Sequence, residues 1–232
     1  MNSPSHREAG AWPSLLAFTV SLACAFTVAA DVQVHRLFSD HAVLQRNKPI
    51  RIWGWADAGE AVTATFAGTT KTTAAGRDGK WSLILGSFPA NATPQTLRIT
   101  GHNVVEIQDL LIGEVWLCSG QSNMEWPLSR SFQPEADIQS STSPNLRVFT
   151  VLKNRSSVPL ENFGKPAQHG WKTAAPESVR DFSAVGYYFG RDLQKALGIP
   201  VGLIHTSWGG SPAEVWTSES TLKANHELDR DI

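Results

Sequence analysis

Ser119-Gly120-Gln121-Ser122-Asn123-Met124 directly follows the apolar run Val115-Trp116-Leu117-Cys118. A serine hydroxyl is a poor nucleophile unless a tight turn presents it near a base and near donors for an oxyanion. A strand, a glycine turn and a serine opening a helix supply that presentation, beyond the carboxyl end of a strand, where open α/β sheets place their sites. Free N–H groups at the helix start would favour negative charge there. The same residues fit a structural pattern as well, because Ser122 with Glu125 three positions on matches a capping box. Spacing alone leaves both readings open.

Thr206-Ser207-Trp208-Gly209-Gly210-Ser211-Pro212 has similar physics. Paired glycines let a backbone N–H approach a substrate oxygen with no side chain in the way. Ser211 and Pro212 suit the cap and first turn of a following helix. A glycine turn that only permits tight packing explains the segment equally well.

These segments need elements to carry them. Residues 31–109 predict a small β-sandwich: residues 49–53, 62–66, 81–85, 96–99 and 104–107 alternate or are β-branched, and Arg77-Asp78-Gly79-Lys80 is a turn. Residues 110–232 predict an α/β domain with a largely parallel sheet. Its strands are expected at 114–118 (buried), 145–151 and 201–204. A helix is expected over 181–197, with Phe182, Val185, Phe189, Leu193 and Leu197 near helical spacing and Gly198 as its cap. Residues 129–180 read as long loops.

The first thirty residues read as a secretory leader: His6 and Arg7, an apolar run from Leu15 to Val28, and Val28-Ala29-Ala30 before Asp31. A lipid-anchor reading would use Cys24, but Ser21 stands where leucine is expected. Cleavage leaves roughly 200 residues, an exported chain, periplasmic or secreted, with no further membrane segment. Formal net charge is −1, so no basic field points to nucleic acid or an anionic membrane. Cys118 is then the only cysteine and cannot form an internal disulfide. The nine tryptophans serve a core first and sugar stacking second. No pair of His, Asp or Cys residues has ligand-like spacing, so no metal is expected. Asn91-Ala92-Thr93 and Asn154-Arg155-Ser156 are sequons that count only in a eukaryotic source. Oligomeric state is not legible.

The run from Gly113 to Leu128 resembles the nucleophile block of sialate O-acetylesterases, within the SGNH-hydrolase superfamily. The run from Val201 to Trp216 resembles their second block, and residues 37–46 and 181–190 are similar to further stretches. The resemblance implies a flavodoxin-like α/β sheet and a Ser-His-Asp esterase that removes acetyl groups from O-acetylated sugars, without a cofactor. It implies Ser122 as nucleophile, its N–H and one from Gly209 or Gly210 in the oxyanion hole, Gln121 and Asn123 holding the turn, and Trp208 lining the acetyl pocket. Two motifs of such relatives, Trp-x-Gln-Gly-Glu and a late Asp-x-x-His, do not occur. None of His35, His41, His102, His169, His205 and His226 has an aspartate three residues earlier, and His205 is the best placed of them. The chain ends in a charged stretch, so the expectation is a sheet incomplete at its C-terminus and a piece with little activity of its own. An acetylxylan-type esterase is a second reading. A carbohydrate-binding protein with an inactive hydrolase domain is a third.

Overall fold

The computed structural model describes residues 31–162 and 170–224. The expected leader, His169 and His226 lie outside the described residues. The chain is a mixed α/β structure built around one large, mostly β sheet.

The first half is strand-rich for the reason its alternation implies. In β4 (Ala61–Phe66) every second side chain, Val62, Ala64 and Phe66, is fully buried. β1 (Gln33–Val34), β3 (Arg51–Trp55) and β6 (Lys80–Ile84) form a three-stranded antiparallel sheet. Its inner residues Ile52, Trp81 and Leu83 share one core with Phe66, Leu97, Ile99 and Ile107 of the large sheet. The Asp78-Gly79 turn is present, with Gly79 at φ +72, but it is not a hairpin. It joins β5 (Thr69–Ala74) in the large sheet to β6 in the small one.

The large sheet runs β10-β9-β11-β8-β7-β4-β5, with β2 (Val43–Gln45) paired beside β8. Here β7 is Asn91–Thr100, β8 is Val104–Gly120, β9 is Ser143–Thr150, β10 is Lys172–Ala174 and β11 is Val201–Ser207. β8 is one continuous strand of 17 residues. Its first part pairs antiparallel with β7 and its last part parallel with β11. It passes straight through the expected division between residues 109 and 110. Asp109 bends it there at φ +55, a conformation that aspartate tolerates better than most residues. At Gly113 the strand comes so close to the chain before β11 that a Cβ would lie 2.0 Å from the Pro200 carbonyl oxygen.

The expected buried strand at 114–118 is a strand, but not a buried one. Trp116 and Leu117 are 44% and 64% exposed, because beyond Gly113 β8 has a strand partner on one side only among the described residues. α4 (Ala184–Leu197) begins three residues later than expected. Ser183 caps it by accepting the Gly186 N–H at 3.0 Å, and Gly198 ends it at φ +65. Its buried face is Ala184, Gly186, Tyr187 and Gly190, whereas Val185, Phe189 and Leu197 of the expected apolar stripe are exposed. Residues 129–180 also hold the short helices α2 (Glu135–Gln139) and α3 (Pro176–Val179), besides β9 and β10.

Arg147 of β9 is buried and grips the bend in β8. Its guanidinium donates to both Asp109 carboxylate oxygens at 2.8 and 3.2 Å and, through Nε, to the Pro144 carbonyl at 2.8 Å. The Arg147 hydrogen bond, with a second from His41, holds the Asp109 carboxyl below the usual carboxylate range. A carboxyl held low contributes stability above its unfolded pKa and loses it as pH falls through the folded value. Asp109→Ala leaves Arg147 buried and unpaired, so chemical denaturation near pH 7 is expected to show a loss of about 3–5 kcal/mol. The difference from the parent should shrink in acid.

Candidate active site

Three parallel strands carry the candidate residues to one edge. β11 lies between β8 and β9, with His205 opposite Cys118, Thr206 opposite Ser119 and Ser207 opposite Gly120. The carboxyl ends of all three strands therefore face the same way, and the segments after them converge there. Gly120 turns the chain at φ +133, and its carbonyl accepts the Trp208 N–H at 2.9 Å, which joins the two glycine turns directly.

Ser122 is the first residue of the one-turn helix α1 (Ser122–Glu125), is exposed, and donates its hydroxyl to Gln121 Oε1 at 3.3 Å. The capping box does not form. The cap position belongs to Gln121 and has no side-chain cap bond, while Glu125 points elsewhere. The Ser122, Asn123 and Met124 N–H groups precede the first intrahelical bond, from Glu125 N–H to the Gln121 carbonyl. Asn123 is exposed, and its side chain bonds to no described residue.

Glu125 joins the two turns. It accepts the Gly209 N–H on Oε2 and pairs with Lys153 through Oε1. Lys153 and then Gly209 hold its carboxyl below the usual range. A Cβ at 209 would lie 2.8 Å from the Glu125 carboxylate, so a larger residue there would push that carboxylate aside. Gly210 faces open space at φ +78. Ser211 is not a helix cap. Its hydroxyl donates back to the Trp208 carbonyl at 2.6 Å, and Pro212 precedes only a short 3-10 turn, Ala213–Trp216.

Ser122, Glu125, Trp126, Arg130, Lys153, Asp181, His205 and Ser207 line an open cavity of about 830 Å³. A neighbouring cavity of about 500 Å³ lies over Trp208 and shares Val151, Leu152, Lys153 and Ser207 with it. His205 does not meet Ser122. It is buried, its Nε2 lies 2.6 Å from Ser207 Oγ, and burial lowers its pKa. His41 does have an aspartate partner, Asp109 at 2.6 Å, but Asp109 is far down β8, roughly 40 Å of extended chain from Ser122. Among the described residues no histidine bonds to the Ser122 hydroxyl.

The sequence reading missed Glu125 as a tie, and Lys153 and Arg155 as neighbours of Trp208. Strand order held the signal for the last two, since residues following β9 must emerge beside Ser122 once β8, β11 and β9 are parallel. Away from the site, Asp57, Glu60 and His102 offer ligand atoms within 4.8 Å of one another. Glu60 already accepts the Asp57 N–H at 3.0 Å and the His102 N–H at 2.6 Å, which accounts for its burial as a turn brace.

Residues 112–229 match the family model described as carbohydrate esterase, sialic acid-specific acetylesterase. The chain is 34% identical over 190 residues to the sialate O-acetylesterase of Rattus norvegicus, covering 75% of this chain and 35% of that protein. It is 31% identical over 191 residues to the Homo sapiens protein of the same name, covering 36% of it. This chain thus spans about a third of the length of these relatives. A crystal structure described as a novel carbohydrate acetylesterase from Xanthomonas citri superposes with a TM-score of 0.79 at 34% identity, over 85% of this chain and 45% of that one.

Cys118 sits directly beneath the Ser122 turn, and burial pushes its thiol up to about 11. The thiolate is the reactive form. At pH 8, peptide mapping after iodoacetamide should find Cys118 unmodified in the folded chain, and alkylated once denaturant opens the sheet.

Proposed function

This chain belongs to the carbohydrate esterase family of sialic acid-specific acetylesterases, and from that membership we propose that it carries the nucleophile of a serine esterase acting on O-acetylated sugars, sialic acids first among them. The observation that carries the reading is the meeting of the Ser122 turn and the Trp208-Gly209-Gly210 turn at one sheet edge, where the capping role of Ser122 is not realised. In this reading Ser122 Oγ attacks the acetyl carbonyl and the sugar oxygen leaves with a proton. Water then releases acetate from the acyl-serine. The Ser122 N–H and the Gly210 N–H hold the oxyanion in this reading, since the Gly209 N–H is already donated to Glu125 Oε2, with Gln121 and Asn123 framing the turn.

The proposal extends to the architecture. Residues 31–109 are read as a β-sandwich domain, residues 110–232 as part of an SGNH-type hydrolase domain, and the protein as exported. A carbohydrate-binding role has one observation of its own, a cavity of about 480 Å³ lined by Trp53, Trp55 and Trp81 on the small sheet.

A serine-directed fluorophosphonate tests the nucleophile without needing turnover. It is expected to label Ser122, slowly because no described base meets the hydroxyl, and Ser122→Ala is expected to abolish labelling. Acetate release from an O-acetylated sialic acid should be slow, since no described base meets the hydroxyl, and should fall at least about tenfold in the variant. Labelling at another serine, or release unchanged in the variant, would defeat the reading.

A further inference from the structure

The face of the small sheet turned away from Ile52 has a cavity of its own. Trp53 and Trp55 sit two residues apart on β3, so the pleat puts both on that face. Ser82 and Lys80 of β6 pair with them there. With Arg51 and Glu161 they line the open space of about 480 Å³. Its aromatic floor is fixed before any ligand arrives. Phe38 meets the Trp53 ring edge-on with centroids 4.7 Å apart, and His35 lies 5.1 Å from Trp53 and 6.1 Å from Trp55. The Trp81 indole N–H donates to the Trp55 carbonyl at 3.1 Å. Trp53 packs in part against the larger core, whereas Trp55 is half-buried and joins neither core among the described residues. The rim carries both signs of charge. Lys80 pairs with Glu161, and the exposed Arg51 guanidinium lies 3.5 Å from the Ser82 hydroxyl.

From these positions we infer that the cavity is a second, non-catalytic saccharide site, separate from the Ser122 edge. It takes an uncharged pyranose unit with its C–H face on Trp55 and its hydroxyls among Arg51, Lys80 and Glu161. Each sugar hydroxyl both donates and accepts, so neighbouring hydroxyls match a rim where cationic donors stand beside a carboxylate acceptor. The flat side of a pyranose offers C–H groups to the negative face of an indole. A wholly apolar ligand would strip water from that rim and return no hydrogen bonds, and an anion would meet Glu161. Rings already locked by Phe38, His35 and the Trp81 hydrogen bond keep the ordering cost of binding low. Glu161 also closes the segment whose earlier residues, Lys153 to Leu160, line the cavity over Trp208, so one loop serves both sites. The site holds a glycan on the molecule without reacting with it, and it therefore stands or falls apart from the esterase reading.

Cellohexaose is the probe, because every ring presents a flat C–H face and it carries neither ester nor charge. Ligand-observed NMR during a titration of the chain reads binding alone. Trp55→Ala is expected to weaken binding by at least about tenfold, the scale of one aromatic contact and the area it buries. Glu161→Ala, a change at an exposed position, should weaken it about threefold through the lost acceptor. Trp208→Ala, in the other cavity, should leave it unchanged. No binding by the parent chain, affinity unchanged in Trp55→Ala or in Glu161→Ala, or affinity lost in Trp208→Ala would each overturn the inference. Circular dichroism checks the fold of each variant, and if Trp55→Ala does not fold, Glu161→Ala decides by itself. Phosphonate labelling of Ser122 reports on the esterase reading alone. A chain that binds cellohexaose through Trp55 but takes no label keeps the saccharide site and loses the nucleophile, and the converse result does the opposite.

Discussion

One strand sets the positions of everything else. β8 begins in the antiparallel part of the sheet, bends at Asp109, slips past Pro200 at Gly113 and ends at the turn that presents Ser122. Because a strand keeps its residues at fixed spacing, the N-terminal region acts as a rigid mount for the site. The Arg147 guanidinium fastens the bend to β9, so that the third strand of the site is referenced to the same point. Both ends of this arrangement pack against a buried apolar core. One lies between the small sheet and the large sheet, and the other lies between α4 and the parallel strands.

The site then follows from register. Parallel pairing of β11 with β8 and with β9 delivers three loops to one edge at matched heights. Glu125 converts this proximity into a fixed geometry by holding the Gly209 amide and the Lys153 ammonium at once. A side chain that fits a helix cap by spacing serves instead as the tie between two loops more than eighty positions apart, and a side chain at position 209 would press on that tie.

Much of this was legible in the residues. The alternation of β4 and the Asp-Gly turn foretold local structure, because period-two burial and positive φ are properties of a few neighbouring residues. The strand and the glycine turn that precede Ser122 were legible for the same reason. What was not legible depends on distance in sequence. The stripe Val185, Phe189, Leu197 is apolar yet exposed, because α4 packs through a different face, Ala184, Gly186, Tyr187 and Gly190. A Cβ at Gly190 would come 2.5 Å from Leu203, and counting apolar side chains cannot register an absence. Likewise the division near residue 110 separates two kinds of pairing along one strand, and composition reports the change of partners but not the continuity of the chain. His205, the best placed histidine on paper, bonds to Ser207, a neighbour on its own strand face.

The half-unpaired length of β8 has a consequence for the molecule in solution. Between Glu114 and the Ser122 turn, one flank of the strand carries no ladder among the described residues, and Trp116 and Leu117 stand exposed beside it. Unpaired peptide groups next to apolar side chains recruit further strands, and residues 115–118 hold none of the lysines or prolines that discourage this. Where that flank stays open, self-association would run along the same few peptide units that lead into the Ser122 turn. Strands laid side by side there would crowd Ser119 and Gly120, so crowded preparations would lose access to the serine in the same event that makes them turbid.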